Sequence, residues 1–381
     1  MIGNNCTPEI VRRTKHDNRD IIHDVRRARF ARCRRQLAMS GRRKPARGKS
    51  RDEIPYDRLT PDVIATAVDR VGFETTGSIL ALGSYENRVY QMGVHGTDAS
   101  DGFVVAKFYR PGRWSTDAIL EEHEFALELA AQEIPIVAPL LHDGESLHEL
   151  DGYRYAVYPR RGGRWPELGT ADDRIWMGRF LGRLHAVGAV RRFRHRQTLS
   201  RQELGRKSVD ELLAGDWIPP HLRDSYESTT AHLLDQIDAA FDEVGAYRSL
   251  RIHGDCHRNN VLWTDDGPHF VDLDDCVNGP AVQDLWLFLA GSRDEMSAQL
   301  GDLLEGYGQF FEFDFRELRL IEALRALRLM HYTAWITRRW HDPAFPRAFP
   351  WLGEARYWEQ HVQALLEQRA VLDEEPLAVV V

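Results

Sequence analysis

The apolar residues between positions 56 and 158 recur at strand-like spacing, in short runs that turn residues separate. Strands are predicted for residues 78–82, 88–92 and 103–109, for a segment near residue 147, and for residues 153–158. A short helix is predicted from Pro61, because Thr60 is a suitable N-cap and proline is favoured in the first helical turn. Residues 119–132 repeat apolar positions at helical spacing. We therefore expect an antiparallel sheet with one inserted helix.

After residue 164 the pattern becomes mostly helical. Helices are predicted for residues 172–187, 202–213, 220–244, 281–289, 294–311 and 315–340. A β-hairpin is predicted inside this part, because Asp-Asp-Gly-Pro separates residues 260–263 from 269–273 and Asp-Gly favours a tight turn. The chain is therefore predicted to be an α+β protein with two lobes, a small β-rich lobe over residues 51–158 and a larger helical lobe over residues 159–381. The hinge is expected near residues 156–159.

The net charge of −8 is distributed unevenly. Residues 1–50 contain 15 Lys and Arg against 4 Asp and Glu, a net charge of +11, whereas the remaining 331 residues carry −19. A segment this charged and this poor in aromatic residues rarely buries enough surface to offset the entropy cost of ordering. We predict a basic, disordered N-terminal extension. An arm that binds nucleic acid or anionic lipid is the alternative that the charge leaves open.

The composition argues against several classes of protein. Hydrophobic residues make up 43% and charged residues 28%, as in soluble globular proteins. No segment approaches the roughly 20 apolar residues of a membrane-spanning helix, and the polar N-terminus lacks the apolar core of a secretory signal. The four cysteines have neither disulfide-framework nor zinc-site spacing. We therefore expect a cytoplasmic protein without a membrane partner.

The densest group of chemically reactive residue types lies at residues 252–261, before the predicted hairpin. Asp255 and Asn260 are five positions apart, and the hairpin returns the chain to Asp272, so the three side chains can converge. Two carboxylates and an amide oxygen are hard ligands that suit Mg²⁺ better than zinc. The same D-x-x-x-x-N spacing occurs in protein kinases, where the aspartate lies near the acceptor hydroxyl and the asparagine binds metal.

Two other interpretations of this group stay open. The segment could be a polar loop whose acids flank a hairpin without further role. Alternatively, His253-x-Asp255-x-His257 could form the core of a two-metal hydrolase, completed by Asp272, Asp274 and Asp275. The hydrolase interpretation leaves the β-rich lobe without a function.

The β-rich lobe offers a cation for a phosphate site. Lys107 lies in an otherwise apolar strand, and the helix after it carries Glu121, Glu122 and Glu124. Such a lysine usually faces solvent, but a lysine–glutamate pair between strand and helix also holds nucleotide phosphates in kinases. The loop at residues 82–90 has one glycine and is no P-loop, although its backbone amides could face phosphate oxygens. Asp284 is either a helix-dipole acid or an anchor of the catalytic loop.

With these motifs the sequence resembles the aminoglycoside phosphotransferase and choline kinase-like superfamily. The signature H-G-D-x-x-x-x-N, followed by a hairpin and I/V-D, matches residues 253–260 and 271–272. Residues 84–91, 107–111, 119–123, 270–275, 278–286 and 340–351 further resemble bacterial stress response serine/threonine kinases. The likeness extends from about residue 56 to the C-terminus and does not include residues 1–50.

The resemblance implies a bilobal protein kinase-like fold. It also implies that a cytoplasmic monomer uses ATP and Mg²⁺ to phosphorylate protein serine and threonine, including its own, in a stress response. Nucleic acid is not an expected partner. Asp274 stands where protein kinases carry the glycine of D-F-G, so the flipping of that motif is not expected here.

Specific roles follow from the resemblance. Asp255 is implied as the catalytic base, with Asp272 as a second catalytic residue. Asn260 and Asp272 are implied as the Mg²⁺ ligands. Glu86, Lys107 and Glu122 are implied at the ATP site, and Glu122 is chosen among the three acids on its spacing to later family positions.

Two other functions use the same residues. A kinase of small alcohols, such as an aminoglycoside or choline, is the main alternative, and in either case residues 321–340 are expected to shape the acceptor groove. A nucleotide-binding regulator without turnover is the second alternative, although the presence of all the catalytic groups argues against it.

Overall fold

The computed structural model describes residues 55–96, 102–265 and 267–379 of the chain. The predicted N-terminal extension lies outside these residues, as does Asp266 in the hairpin turn. The described residues all belong to one compact unit.

The first part of this unit is a five-stranded antiparallel sheet. Its strands are β1 (Glu74–Ala81), β2 (Arg88–His95), β3 (Phe103–Phe108), β4 (His148–Leu150) and β5 (Tyr153–Pro159), in the order β1-β2-β3-β5-β4. β1 begins four residues before its predicted start, because an edge strand with mostly exposed side chains carries little apolar pattern. The predicted antiparallel sheet is confirmed.

Two helices accompany the sheet. These are α1 (Pro61–Arg70), capped by the Thr60 side chain as predicted, and α2 (Thr116–Ala131), capped by Ser115. Phe125 and Leu129 of α2 are fully buried in the main core, which the helical part of the chain supplies. α2 therefore connects the two halves of the fold.

The second part is mainly helical. Its helices are α3 (Ala171–Gly188), α4 (Lys207–Ala214), α5 (Arg223–Val244), α6 (Val282–Trp286), α7 (Arg293–Tyr307), α8 (Leu320–Arg338), α9 (Ala344–Ala348) and α10 (Ala355–Leu372). The predicted hairpin is present as β7 (Val261–Thr264) and β8 (Gly267–Phe270). A smaller pair joins β6 (Leu250–Ile252) to β9 (Val277–Gly279).

The sequence analysis missed α10 and the β6–β9 pair. α10 did carry a signal, since its buried Trp358, Val362 and Leu365 recur at helical spacing. β6 and β9 are three residues each, which is too short for alternation to be read, and they pair across a long stretch of chain.

Glycines let α3 and α7 pack unusually closely. A Cβ atom on Gly178 would lie 2.0 Å from the Leu303 oxygen, and one on Gly182 would lie 2.5 Å from the Tyr307 oxygen. The close packing places His185 of α3 beside Tyr307 of α7, with 2.9 Å between His185 Nδ1 and the tyrosine hydroxyl. This histidine in turn contacts Asp284, which holds the backbone at residues 253 and 254.

In the part of the chain that the structure describes, every helix is too short or too polar to cross a membrane.

Candidate active site

Lys107 of β3 lies in the centre of a cluster of buried charges. Its Nζ is 3.2 Å from Glu122 Oε1, and 3.3 Å from both Asp272 Oδ1 and Asp274 Oδ1. Burial lowers the pKa of Lys107, but the charges of Asp274, Glu122 and Asp272 outweigh it and hold the pKa well above its usual value. Lys107 is therefore a permanent cation that joins α2 to the segment after the hairpin.

Of the three acids of α2 that the sequence analysis considered, Glu122 is the one that contacts Lys107. The carboxylate of Glu121 accepts backbone N–H groups of the loop at residues 194–196, at 2.7 to 3.0 Å, and Glu124 pairs with Arg191 near the surface. Arg196, from the same loop, donates to the second oxygen of Glu122. The glutamate is therefore fixed from both sides.

Arg196 also fixes the segment that follows Asp272. Its Nη1 donates to the Asp274 carbonyl oxygen at 2.7 Å, and its Nε donates to the Ala118 carbonyl oxygen at 2.8 Å. The side chain is fully buried. One guanidinium thus joins α2 to the segment that follows Asp272.

Asp274 is a buried carboxylate with several donors. Asn87 Nδ2 donates to its Oδ2 at 2.9 Å, Arg113 donates to the same oxygen, and Lys107 lies at Oδ1. Burial raises the pKa of Asp274, but the charges of Arg113, Lys107 and Arg196 hold it below its usual value. Asp274 therefore connects the segment after the hairpin to the loop between β1 and β2.

Asp284 holds the backbone of the loop that carries Asp255, as one of the two sequence interpretations expected. Its Oδ2 accepts the His253 N–H at 2.7 Å and lies 3.1 Å from His185 Nε2, while its Oδ1 accepts the Gly254 N–H at 2.8 Å. The side chain is fully buried. Gly254 adopts a φ of +83°, and a Cβ there would lie 2.2 Å from the Asp275 oxygen, so only glycine fits this turn.

The loop presents Asp255 with both carboxylate oxygens engaged. Arg328 Nη1 of α8 donates to Oδ1 at 2.7 Å, and His257 Nε2 lies 3.2 Å from Oδ2. Burial raises the pKa of Asp255, but the charges of Arg328 and His257 hold it well below its usual value. The side chain is 22% exposed, so the ionised carboxylate remains partly accessible from solvent.

The hairpin brings Asn260 and Asp272 to this loop. Val271 N donates to the Asn260 carbonyl oxygen at 3.0 Å, and Asn260 Nδ2 donates to the Asp255 carbonyl oxygen at 3.0 Å, which leaves the amide oxygen for another ligand. Asp272 has φ 62° and ψ 63°, a left-handed conformation that costs energy for a residue with a Cβ and is concentrated at functional sites. Its side chain is 51% exposed.

These oxygen donors fit Mg²⁺. Asp272 offers a half-exposed carboxylate and Asn260 an amide oxygen, which are ligand types that Mg²⁺ prefers. A hydrolase centre has less support. In the residues that the structure describes, no group of three or more His, Cys, Asp and Glu side chains is arranged to hold a metal, and His253 Nε2 lies 3.0 Å from the Val271 carbonyl oxygen.

Glu86 lies in the loop between β1 and β2, but its carboxylate faces the end of α8. It contacts Arg339 Nη2 at 2.8 Å, Trp335 Nε1 at 2.7 Å and Arg110 Nε at 3.2 Å, with Arg113 Nε at 3.7 Å. Burial raises the pKa of Glu86, but these arginines lower it below its usual value. Whether Glu86 also contacts ATP stays a prediction.

Sequence reasoning missed the arginines of the site. Arg113, Arg196 and Arg328 each contact a predicted site residue or its neighbour, and they come from three separate segments. A weak signal existed for Arg113, since it lies two positions after the segment 107–111 that the sequence analysis had singled out. Arg196 and Arg328 carry no local signal, because their partners are distant in sequence.

The chain matches known proteins over most of its length. The sequence profile of the phosphotransferase enzyme family matches residues 78–321. Stress response kinase A from Escherichia coli strain K12 is 44% identical over 325 residues, which are 84% of this chain and 96% of that protein. The serine/threonine protein kinase RdoA from Salmonella typhimurium strain LT2 is 42% identical over 322 residues, with the same two coverages.

The fold also matches solved kinase structures. Amicoumacin kinase hAmiN, solved in complex with AMP-PNP, Ca²⁺ and Ami, has a TM-score of 0.62 at 18% identity, over 82% of this chain and 94% of that one. Choline kinase LicA from Streptococcus pneumoniae has a TM-score of 0.56 at 13% identity, over 81% and 98%. The predicted kinase-like fold is thus confirmed. The chain belongs to the phosphotransferase enzyme family and, within it, groups with the stress response kinase A proteins.

Proposed function

We propose that this protein transfers the γ-phosphoryl group of ATP to serine and threonine hydroxyls of proteins, its own chain included, with Mg²⁺ as cofactor. That it is a kinase follows from its family. The observation that carries the finer proposal is 42% identity, over 96% of the relative's length, to a kinase named for serine and threonine in proteins.

The proposed setting is a stress response in the bacterial cytoplasm, with the protein acting as a monomer. The stress response is supported by the names of the relatives, which are 42–44% identical. We also propose that residues 51–158 form the nucleotide-binding lobe and residues 159–381 the catalytic lobe. In support, Lys107 and Glu122 belong to the first range, whereas Asp255, Asn260 and Asp272 belong to the second.

On the nucleotide side, Lys107 would hold the phosphates of ATP. Its charge is fixed by Glu122 and Asp274, so it needs no reorganisation when phosphate arrives. Asn260 and Asp272 would hold Mg²⁺, which neutralises charge on the phosphate oxygens when bound. The proposed site therefore fixes the phosphates with groups that are already in place.

On the acceptor side, Asp255 would orient the hydroxyl and take its proton. The bond from the γ-phosphorus to the ADP oxygen breaks while the bond to the hydroxyl oxygen forms, and the hydroxyl proton passes to Asp255. Arg328 and His257 keep the carboxylate ionised and fixed in direction. The products are ADP and a phosphorylated hydroxyl.

The test is to incubate the purified full-length chain with γ-labelled ATP and Mg²⁺, alone and with a bacterial lysate. We expect label on serine and threonine of the chain and of lysate proteins, and none when Asp255→Ala replaces the wild type. Transfer to choline or an aminoglycoside, with none to protein, would favour the small-molecule kinase instead. Label that appears on the purified Asp255→Ala chain alone, at the rate of the wild type, would contradict the assignment of Asp255 as the base.

A further inference from the structure

Arg113 is a buried arginine that the mechanism above does not use. It lies in the connection between β3 and α2, and its side chain is only 14% exposed. Its guanidinium donates to Asp274 Oδ2 and Asp275 Oδ1, and its Nε lies 3.7 Å from Glu86 Oε1. A planar fork of donors directed at three acids is a strong site for recognising oxygen anions.

Arg113 shares one of its partners, Asp274, with Lys107. Lys107 Nζ lies 3.3 Å from one oxygen of Asp274, and Arg113 binds the other oxygen of the same carboxylate. A single carboxylate therefore separates the two cations. If Lys107 holds ATP phosphates, then Arg113 is the cation on the other oxygen of Asp274.

Its other contact lies toward the acceptor side. Asp275 follows Asp272 by three residues in one 3₁₀ turn, and its backbone oxygen packs against Gly254, the residue before Asp255. The guanidinium is therefore linked through Asp274 to Lys107 and through Asp275 to the loop that carries Asp255. A phosphoryl group moving from a nucleotide held by Lys107 to a hydroxyl at Asp255 would pass from the first of these groups to the second.

We propose that Arg113 is a catalytic residue that binds the γ-phosphoryl group during its transfer. The proposal rests on the kinase activity and is independent of whether the acceptor is protein. The charge of the transferring group is spread over its three equatorial oxygens, and a guanidinium donating to two of them stabilises the transition state. Asp275 is 52% exposed, so its side chain can turn to solvent and release the arginine.

Asp274 positions Arg113 for this role. Its side chain is 4% exposed, and Asn87 Nδ2 holds it at 2.9 Å, so it stays in place while Asp275 moves. The alternative is that Arg113 only neutralises the acids around it and holds its segment together. The two roles predict different nucleotide affinities. If Arg113 binds the γ-phosphoryl group, its loss weakens the binding of a nucleotide that carries a γ-phosphate but not the binding of ADP. If it only holds its segment together, its loss affects both nucleotides alike.

The experiment compares the affinities for AMP-PNP and ADP, by calorimetric titration in Mg²⁺, of the wild type, Arg113→Met and Arg113→Lys. We expect Arg113→Met to bind AMP-PNP at least about tenfold more weakly and ADP within about twofold of wild type. Turnover of ATP should fall about 100-fold or more, as when one transition-state donor is removed. Arg113→Lys keeps the charge but loses the planar guanidinium. Its AMP-PNP affinity and its turnover should therefore lie between those of the wild type and those of Arg113→Met.

Arg154→Met is the matched control. Arg154 also holds this segment, since its Nη2 donates to the Trp114 carbonyl oxygen at 2.7 Å and its Nη1 to Thr116 Oγ1 at 3.3 Å. These contacts are to a carbonyl and a hydroxyl oxygen and not to Asp274, Asp275 or Glu86. Arg154→Met should leave the ratio of the two affinities unchanged. Equal losses for AMP-PNP and ADP, no loss for either, or the same pattern in Arg154→Met would overturn the proposal.

The titration needs no acceptor, so it stands even if the protein-kinase proposal fails. Thermal unfolding is measured for each variant beforehand. If Arg113→Met does not fold, Arg113→Lys is judged by the same ratio, and an unchanged ratio in that variant overturns the proposal.

Discussion

The charged residues of the site form two groups that differ in exposure. The interior group has side chains no more than 7% exposed and consists of Lys107, Glu122, Arg196 and Asp274. The open group has side chains 22%, 51% and 52% exposed and consists of Asp255, Asp272 and Asp275. The two groups lie side by side and are joined through Lys107, which contacts Asp272.

The difference separates support from ligand binding. A buried charge is costly unless it is paired, and in the interior group each carboxylate contacts at least two cations. Exchanging a partner would leave such a group buried and unpaired, which costs free energy, so these groups hold the surrounding elements in place. Open carboxylates remain partly in water, and replacing water or a neighbouring side chain by metal or substrate costs them less. We therefore expect damage to Glu122, Arg196 or Asp274 to act mainly on folding, and damage to the open group to act on turnover. Lys107 belongs to the interior group by its burial, but as the proposed phosphate-binding cation it should affect the use of ATP.

The largest expected effect is on turnover and comes from the open group. Asp255→Ala removes the proposed base but leaves the nucleotide side intact. Its turnover should fall by about 10²–10⁴-fold, the range that general acid–base catalysis supplies, while ATP affinity stays within about twofold. A turnover assay and calorimetric titration of ATP in Mg²⁺ measure the two quantities.

Asp272→Ala is the comparison for that prediction, because it removes a proposed metal ligand and a partner of Lys107. It should lose the Mg²⁺-dependent part of ATP affinity as well as turnover. Equal loss of nucleotide binding in Asp255→Ala and Asp272→Ala would show that the two carboxylates do not have separate roles.

The second prediction concerns the interior group. Arg196→Met leaves Glu122 buried beside one cation in place of two, and it removes the bond to the Asp274 carbonyl oxygen. The free energy of unfolding should fall by about 3–5 kcal/mol, as for other broken buried ion pairs. Arg191→Met is the exposed control, since that arginine is 43% exposed and pairs with Glu124 and Glu128 at the surface.

Urea unfolding measures both variants. Arg191→Met should change the free energy of unfolding by no more than about 1 kcal/mol. If the losses in free energy of unfolding of the two variants differ by less than about 1 kcal/mol, burial does not separate structural charges from ligand-binding charges in this protein.

The third prediction concerns a buried acid whose donors are backbone amides. Glu317 accepts the Val282 N–H at 2.9 Å, and burial raises its pKa to about 8. Because the folded pKa lies above the unfolded one, the protonated acid favours folding below about pH 4.5, and this contribution is lost as pH rises toward 8. The change is at most a tenfold shift in the unfolding constant per pH unit.

Glu317→Gln removes the titrating group. The Tm of the wild type should therefore fall relative to the Tm of the variant between pH 5 and pH 8. Scanning calorimetry at several pH values measures it. A difference in Tm that stays constant over this range would contradict the raised pKa.

The smallest expected effect comes from Asp284, beneath the open group. Asp284→Asn replaces one carboxylate oxygen by an NH₂ group, so the backbone N–H of either His253 or Gly254 loses its acceptor. Leaving one buried donor unsatisfied should cost about 1–3 kcal/mol of unfolding free energy. Turnover should fall while ATP affinity is kept, because the loop carries Asp255. An unchanged turnover would limit Asp284 to a structural role.

The sequence alone determined the local parts of this protein. Alternation predicted the sheet, Thr60 and Pro61 predicted the start of α1, and Asp-Gly predicted the hairpin that carries Asp272 back to Asn260. A contact of Lys107 with an acid of the next helix was also predicted from these neighbouring elements, although the choice of Glu122 came from the family resemblance. These signals could be read because each depends on residues close together in the chain.

Only the tertiary structure decided which charges are support and which are free for ligands. Asp272 and Asp274 are two positions apart and identical in type, yet one side chain is 51% exposed and the other 4%. The arginines that make this difference come from residues 113 and 196, and Arg328 reaches Asp255 from α8. A long side chain reaches partners that packing selects, and burial is a property of all the surrounding elements together, so no local pattern in the sequence specifies either one.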